Sequence, residues 1–397
     1  MGRVLTSSMV ALAALMALPV ATGSALAAES APGWTLDRVV VVMRHGVRPP
    51  TKADPLPQAM APAPWPTWDV NWGELSHHGE KAVALLGTFD RASYAPLLGT
   101  GCPTIHAVAD TDQRTVRTAE VYVATLLPGC TVSVEHKGQS ESDPLFQPFE
   151  SGSTLLSPEQ TLAAAKGVLP RGGALALDRD LAPQWAMIDR ILQCHAAACI
   201  AAKPTALSAG EGKVKLAGAL GLGGSFSETL ALEYADGKPM SEVGWGRASR
   251  AQITSLLMLH AQEFAVTARP AAIARAGSAR LLGDVATALA SPQAPAFSLF
   301  VGHDGNLALI GGALGLHWHA AQFAPDDPPP GGALIFERWH NAAGRYRLTV
   351  RFRAQSLDEM RNLTPSGPKS VQTLPFAACS ETNDCDAEGL RKALSPQ

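Results

Sequence analysis

Residues 39–51 read Val-Val-Val-Val-Met-Arg-His-Gly-Val-Arg-Pro-Pro-Thr, and this stretch decides the fold. The apolar, β-branched run 39–43 predicts a short buried strand. It ends abruptly in Arg44, His45, Gly46 and Arg48, and Pro49-Pro50 forbids further regular pairing. Two guanidiniums flanking an imidazole at the carboxyl end of a buried strand make an anion site with a nucleophile in it. The planar fork of guanidinium donors matches phosphate oxygens, and imidazole can attack phosphorus and hold it covalently. Gly46 permits a close approach that a Cβ would obstruct. The chemistry expected is phosphoryl transfer through a phosphohistidine on His45. Strands often end in Arg or His because the chain is surfacing, but the whole R-H-G-x-R-x-P pattern after four valines is much more specific.

A second apolar run, 297–301, ends in Gly302-His303-Asp304-Gly305-Asn306. Ligands of α/β sheets collect beyond the carboxyl ends of strands, so His303 and Asp304 are expected to meet His45. Cleaving a phosphomonoester requires a group that protonates the departing alkoxide. Asp304, protonated before reaction, suits that role and implies a preference for acid pH; His303 adds a donor. Capping of the following helix by Asp304 is compatible with both roles. Between these motifs, a strand at 105–109 and a helix at 114–127 flank Asp110-Thr111-Asp112-Gln113-Arg114. The helix start brings free backbone N–H groups and an arginine towards the same strand ends. Arg117, one turn on, is expected to be solvated or salt-bridged.

These motifs resemble the histidine acid phosphatases, whose R-H-G-x-R-x-P signature falls on Arg44, His45, Gly46, Arg48 and Pro50. The resemblance implies that His45 is phosphorylated, that Arg44, Arg48, Arg114 and His303 bind the phosphoryl oxygens, and that Asp304 donates the proton. It also implies a phosphoglycerate-mutase-like α/β domain, with a mostly parallel sheet flanked by helices, plus an inserted mostly α-helical domain. Segments 73–76, 101–103, 244–247 and 329–332 resemble the bacterial periplasmic acid phosphatase and phytase group. Within that group, Thr51 and Lys52 match residues that reach outer phosphates of inositol hexakisphosphate, and Glu228 matches a substrate-pocket glutamate. Two positions depart from the pattern: Gly305 replaces the usual Thr, and Phe226 a frequent Met. No metal or other cofactor is implied.

Alternation of strand-like and helical segments at both ends of the chain is an α/β signal. The expected division is a leader at 1–27, a discontinuous α/β catalytic domain at 28–150 and 246–397, and an inserted helical domain at 151–245. Segments 166–177 and 218–224 are read as loops, and 328–332 as a tight turn into a strand. Arg3, the apolar run 9–20 and Ala25-Leu26-Ala27 have the form of a secretory leader cleaved after Ala27. The run is short for a span of ~20 apolar residues, so a periplasmic or secreted protein is expected, with no membrane contact after cleavage.

Six cysteines fall in three local pairs, Cys102 with Cys130, Cys194 with Cys199, and Cys379 with Cys385. In an oxidising compartment they read as disulfides, although sequence alone leaves connectivity open. A zinc reading at Cys194-His195 and Cys199 lacks a second ligand cluster. The net charge of −3 across 397 residues argues against a nucleic-acid or membrane-surface binder. The expected partner is a small phosphomonoester substrate, and the protein is expected to be a monomer; phytate is the first choice and a sugar phosphate such as glucose 1-phosphate the alternative. A periplasmic protein that binds phosphate esters without cleaving them is the rival from another class; it would need neither the nucleophile nor the acid.

Overall fold

The structure is a computed structural model describing Gly2 and residues 33–153, 156–195, 199–210, 212–376 and 385–395. The leader segment with its cleavage site after Ala27, and Cys379 with its pairing, lie outside the described residues. Strands in chain order are β1 (Trp34–Arg44), β2 (His106–Ala109), β3 (Ala206–Gly210), β4 (Lys213–Ala217), β5 (Phe297–Gly302), β6 (Ala333–Asn341), β7 (Tyr346–Arg353) and β8 (Val371–Leu374). Helices α1 (His77–Ser93), α2 (Ala95–Leu98) and α3 (Gln113–Leu126) come first. Next are α4 (Pro158–Gly167), α5 (Ala174–Asp180), α6 (Ala182–Leu192) and α7 (Ala219–Ala235). The remainder are α8 (Arg250–Thr267), α9 (Ala271–Ala290), α10 (Asp304–Leu314), α11 (Leu357–Asn362) and α12 (Ala387–Leu394).

The valine strand lies inside a six-stranded sheet of order β2-β5-β1-β6-β7-β8, while β3 and β4 form a separate hairpin. Strands β2, β5 and β1 are parallel neighbours. From β1 outward, the pairings with β6, β7 and β8 are antiparallel. Strand β7 therefore runs with β1, β2 and β5, which gives four of six strands one direction. The antiparallel β6–β7 pairing follows from the short connection 342–345, which can join only hairpin neighbours.

Residues 39–43 of β1 are unbroken hydrophobe because both faces of the strand are covered there. Val39, Val41 and Met43 pack with Val83 and Leu86 of α1 and with Tyr122, Val123 and Leu126 of α3. Val40 and Val42 face the opposite layer, which includes Leu281 and Val285 of α9 and Leu307 and Ile310 of α10. That second core continues into Trp185 and Ile188 of α6 and Phe226 and Leu230 of α7. The segment from α4 to α7 contributes no strand to the central sheet. No described helix is long and apolar enough to cross a membrane.

Two expectations are overturned here, the first in part: 166–177, read as a loop, holds the end of α4 and the start of α5, and only 168–173 connects them. The glycine-rich 218–224, read as a loop, includes the first turns of α7. These glycines answer to packing rather than to flexibility. A Cβ on Gly223 would fall 2.5 Å from Trp185 of α6, and one on Gly224 would fall 2.1 Å from the Glu263 carboxylate of α8. Gly218 precedes the helix at φ +76°, where a Cβ would strike the Pro204 carbonyl. The turn before β6 is as expected: the Gly332 N–H donates to the Pro329 carbonyl at 2.9 Å. Disulfides join Cys102 to Cys130 and Cys194 to Cys199, which excludes the zinc reading at the second pair.

Candidate active site

Three parallel strands deliver the site. His45 follows β1, Asp110 follows β2 and His303 follows β5. Their ends are stitched together by the His45 N–H donating to the Gly302 carbonyl at 3.0 Å and the Asp110 N–H donating to the Val301 carbonyl at 2.9 Å. Beyond β1 the chain turns under α1. A Cβ on Gly46 would fall 2.7 Å from Val83 and 2.8 Å from Leu75. That steric limit explains the glycine beside the nucleophile candidate.

His45 is fully buried. Its Nδ1–H donates to the Gly46 carbonyl at 2.9 Å, so Nε2 carries the lone pair, with Arg48 Nε 3.4 Å away. Burial, then the charges of Arg48, Arg114, Arg44 and His303, hold the imidazole well below its usual pKa. Both effects favour the neutral imidazole. The His303 ring stands edge-on to it at 5.5 Å. His303 Nε2 lies 2.8 Å from an Asp110 carboxylate oxygen and 3.2 Å from one of Asp112. Burial works against a charge on His303, but these two carboxylates outweigh it and raise its pKa. Asp110 also accepts from Gln147 at 2.9 Å, and Asp112 pairs with Arg114 at 2.8 Å.

Asp304 is the first residue of α10; the cap position falls on His303, one residue earlier than the capping reading of Asp304. Its carboxylate lies 2.8 Å from Arg44 Nη2. Burial alone would raise its pKa, but Arg44, His260, Arg48 and His303 prevail and hold it far below the carboxylate range. Glu228, on α7, places an oxygen against Arg44 and 3.3 Å from Arg48. It reaches the back of the site from a segment that lies outside the central sheet. Arg44 is completed by donating to the Pro328 carbonyl at 2.6 Å.

A cleft of about 650 Å³ opens outward from His45, Arg48, Arg114, His303 and Asp304. Its outer wall includes Gln139, Glu141, Phe149, Glu150, Lys213 of β4 and Thr267 of α8. Lys213 and Glu150 form an ion pair across it. Gly305 lines the cleft, and a Cβ there would meet nothing within 4 Å. Phe226 does not line it; the ring is buried and stacked on Trp245 at 6.4 Å. Thr51 and Lys52 are exposed on the loop after Pro50 and are not among the lining residues. Arg117 turns away to Glu80 at 2.6 Å and Glu120 at 3.1 Å.

The sequence reading missed His260 of α8, whose Nδ1 lies 2.6 Å from Asp327. A lone histidine on an apolar helix carries little signal, and its partner is 67 residues away. It also gave no role to Asp110, although that residue sits in a segment it singled out. Chemically, the site offers an unprotonated imidazole nitrogen among three guanidiniums, with a carboxyl group across the same cavity.

Comparison with known proteins points the same way. The histidine phosphatase superfamily (branch 2) matches residues 35–167. The chain is 35% identical to phytase AppA of Escherichia coli (strain K12), over 94% of this chain and 93% of that protein. It is 29% identical to a glucose-1-phosphatase of Salmonella typhimurium, over 93% and 94% of the two chains. Among solved structures it resembles Hafnia alvei phytase in complex with myo-inositol hexakis sulphate, with a TM-score of 0.83 and 30% identity. That likeness covers 92% of this chain and 98% of the other.

Proposed function

This chain belongs to the histidine phosphatase superfamily (branch 2) and is a phosphomonoester hydrolase; on that premise we propose that His45 and Asp304 carry its chemistry and that phytate is its preferred substrate. Arg44, Arg48, Arg114 and His303 bind the phosphoryl oxygens. His45 Nε2 attacks phosphorus in line and the ester P–O bond breaks, while Asp304 gives its proton to the leaving oxygen. Water then attacks the phosphohistidine and returns a proton to Asp304. Positioning and charge neutralisation by the arginines supply most of the rate. The observation that carries this reading is the orientation of His45, with its Nδ1–H occupied by the Gly46 carbonyl and Nε2 accepting from Arg48 at 3.4 Å among three arginines.

The free site qualifies the expectation that Asp304 waits in its protonated form. Its carboxylate is held by Arg44. The proton therefore enters with the substrate, because a phosphomonoester loses its second proton only near pH ~6. Once the phosphoryl oxygens take over the arginines, the proton moves to Asp304. Acid pH favours activity because the monoanionic ester carries that proton in.

For substrate, identity to phytase AppA and structural likeness to a phytase in complex with inositol hexakis sulphate favour phytate. A second reading, a sugar-phosphate phosphatase, draws support from the outer wall, where Glu141 and Glu150 stand beside a single Lys213. Carboxylates there would repel distal phosphates and accept sugar hydroxyls. We also propose export to an oxidising compartment, supported by the two disulfides. The test is phosphate release from phytate and from glucose 1-phosphate in acidic buffer containing EDTA. Faster release from phytate is expected; release confined to glucose 1-phosphate overturns the substrate assignment and leaves the chemistry standing.

A further inference from the structure

Behind the site lies a second, fully enclosed pair. His260 and Asp327 are 5% and 0% exposed, and the His260 Nδ1–H donates to Asp327 Oδ1 at 2.6 Å. Asp327 Oδ2 is buried with no hydrogen-bond partner among the described residues. A carboxylate so poorly satisfied persists in an interior only beside a cation. The other side of the imidazole faces the reaction: His260 Nε2 is 4.0 Å from Glu228, and one side-chain N or O atom from each of Glu228, His260 and Asp304 lies within 4.8 Å of the others. The same turn fixes Arg44, which donates to the carbonyl of Pro328, the residue after Asp327.

We infer that His260, kept as an imidazolium by Asp327, is a positioning residue whose charge behind Glu228 and Asp304 governs the pH range in which Asp304 holds the proton for the leaving group. This rests on Asp304 being the proton donor. The charged groups facing Asp304 are Arg44 at the end of β1, Arg48 beyond it, Arg114 of α3, His303 beside it, Glu228 of α7 and His260 of α8. Glu263 of α8 also faces this group, and burial pushes its carboxyl up to about 7. After Arg44, His260 is the cation that acts most strongly on Asp304, and unlike Arg44 it does not bind the phosphoryl group. Burial opposes the charge on His260, but Asp327 outweighs it and lifts the imidazole to about 9.

The test is the pH dependence of kcat for His260→Gln on an alkyl phosphate and on 4-nitrophenyl phosphate, whose leaving group needs no proton. With less positive charge nearby, Asp304 should retain its proton to higher pH. The alkaline limb on the alkyl ester should rise by about one pH unit while that on the aryl ester stays in place. An unmoved limb, or equal movement on both esters, overturns the inference. Asp304→Asn separates the two claims. If it slows both esters equally, the donor assignment falls and the role of His260 falls with it. If it slows chiefly the alkyl ester while His260→Gln leaves the limb unmoved, only the role of His260 falls. Should His260→Gln not fold, ¹⁵N shifts of the His260 ring in the wild-type protein decide: protonation persisting above pH ~8 is expected, and titration at or below the ordinary histidine value contradicts it.

Discussion

The floor of the cleft and its rear wall are assembled in different ways. The floor comes from three short stretches, each a strand end followed at once by charged side chains: Arg44 to Arg48, Asp110 to Arg114, and His303-Asp304. The rear wall comes from Glu228 on α7, His260 on α8 and Asp327 in a loop, brought together by helix packing. Groups on the floor stand where the phosphoryl group must react. Groups on the wall touch only other side chains and set their charge. Floor substitutions should therefore cost turnover, and wall substitutions should move affinity or pH dependence.

The largest effect expected is from His45→Ala, a loss of about 10⁴-fold or more in kcat on every ester. Substantial residual turnover would remove His45 as nucleophile. Asp304→Asn should lower kcat by about 10²–10⁴-fold on alkyl phosphates and much less on 4-nitrophenyl phosphate; equal losses would break the assignment. On the wall, Glu228→Gln frees Arg44 and Arg48 from a carboxylate that competes with phosphate. Inhibition by inorganic phosphate should tighten by about tenfold, with kcat changed far less. A loss of kcat as large as that of Asp304→Asn would erase the distinction between floor and wall.

The smallest effect concerns stability. Burial pushes Glu233 of α7 from 4.5 to about 8, so the fold binds a proton that the unfolded chain has released. Its contribution is complete below pH ~4.5 and disappears as pH rises towards 8. The thermal midpoint should therefore fall across that window, and fall less steeply in Glu233→Gln. Identical slopes in the two proteins would show that Glu233 is not the group responsible. Glu233 accepts the Gly244 N–H at 2.9 Å, which supports the turn where Gly244 and Trp245 both adopt positive φ.

Much of the floor was legible because its chemistry is contiguous. Four valines announce a strand covered on both faces, and packing accounts for Gly46 but not for the Arg, His and Arg around it. The wall was legible only in part. Glu228 was reached through family resemblance, while His260 was not reached at all, since one histidine on an apolar helix looks like ordinary core. The glycines of α7 misled for a related reason: locally they signal a loop, and only contact with Trp185 and Glu263 shows why the helix needs them. Outer-wall residues such as Glu150 and Lys213 meet across 63 positions of chain, a distance no local pattern encodes.

The central claim is a covalent phosphoryl group on His45. Mixing the protein with 4-nitrophenyl phosphate, quenching in denaturant at alkaline pH within milliseconds, and sequencing the phosphopeptide by mass spectrometry tests it directly. The account predicts one phosphoryl group on His45 that forms and decays at rates compatible with turnover. Full turnover with no modification of His45, or a phosphoryl group on another residue, would contradict it.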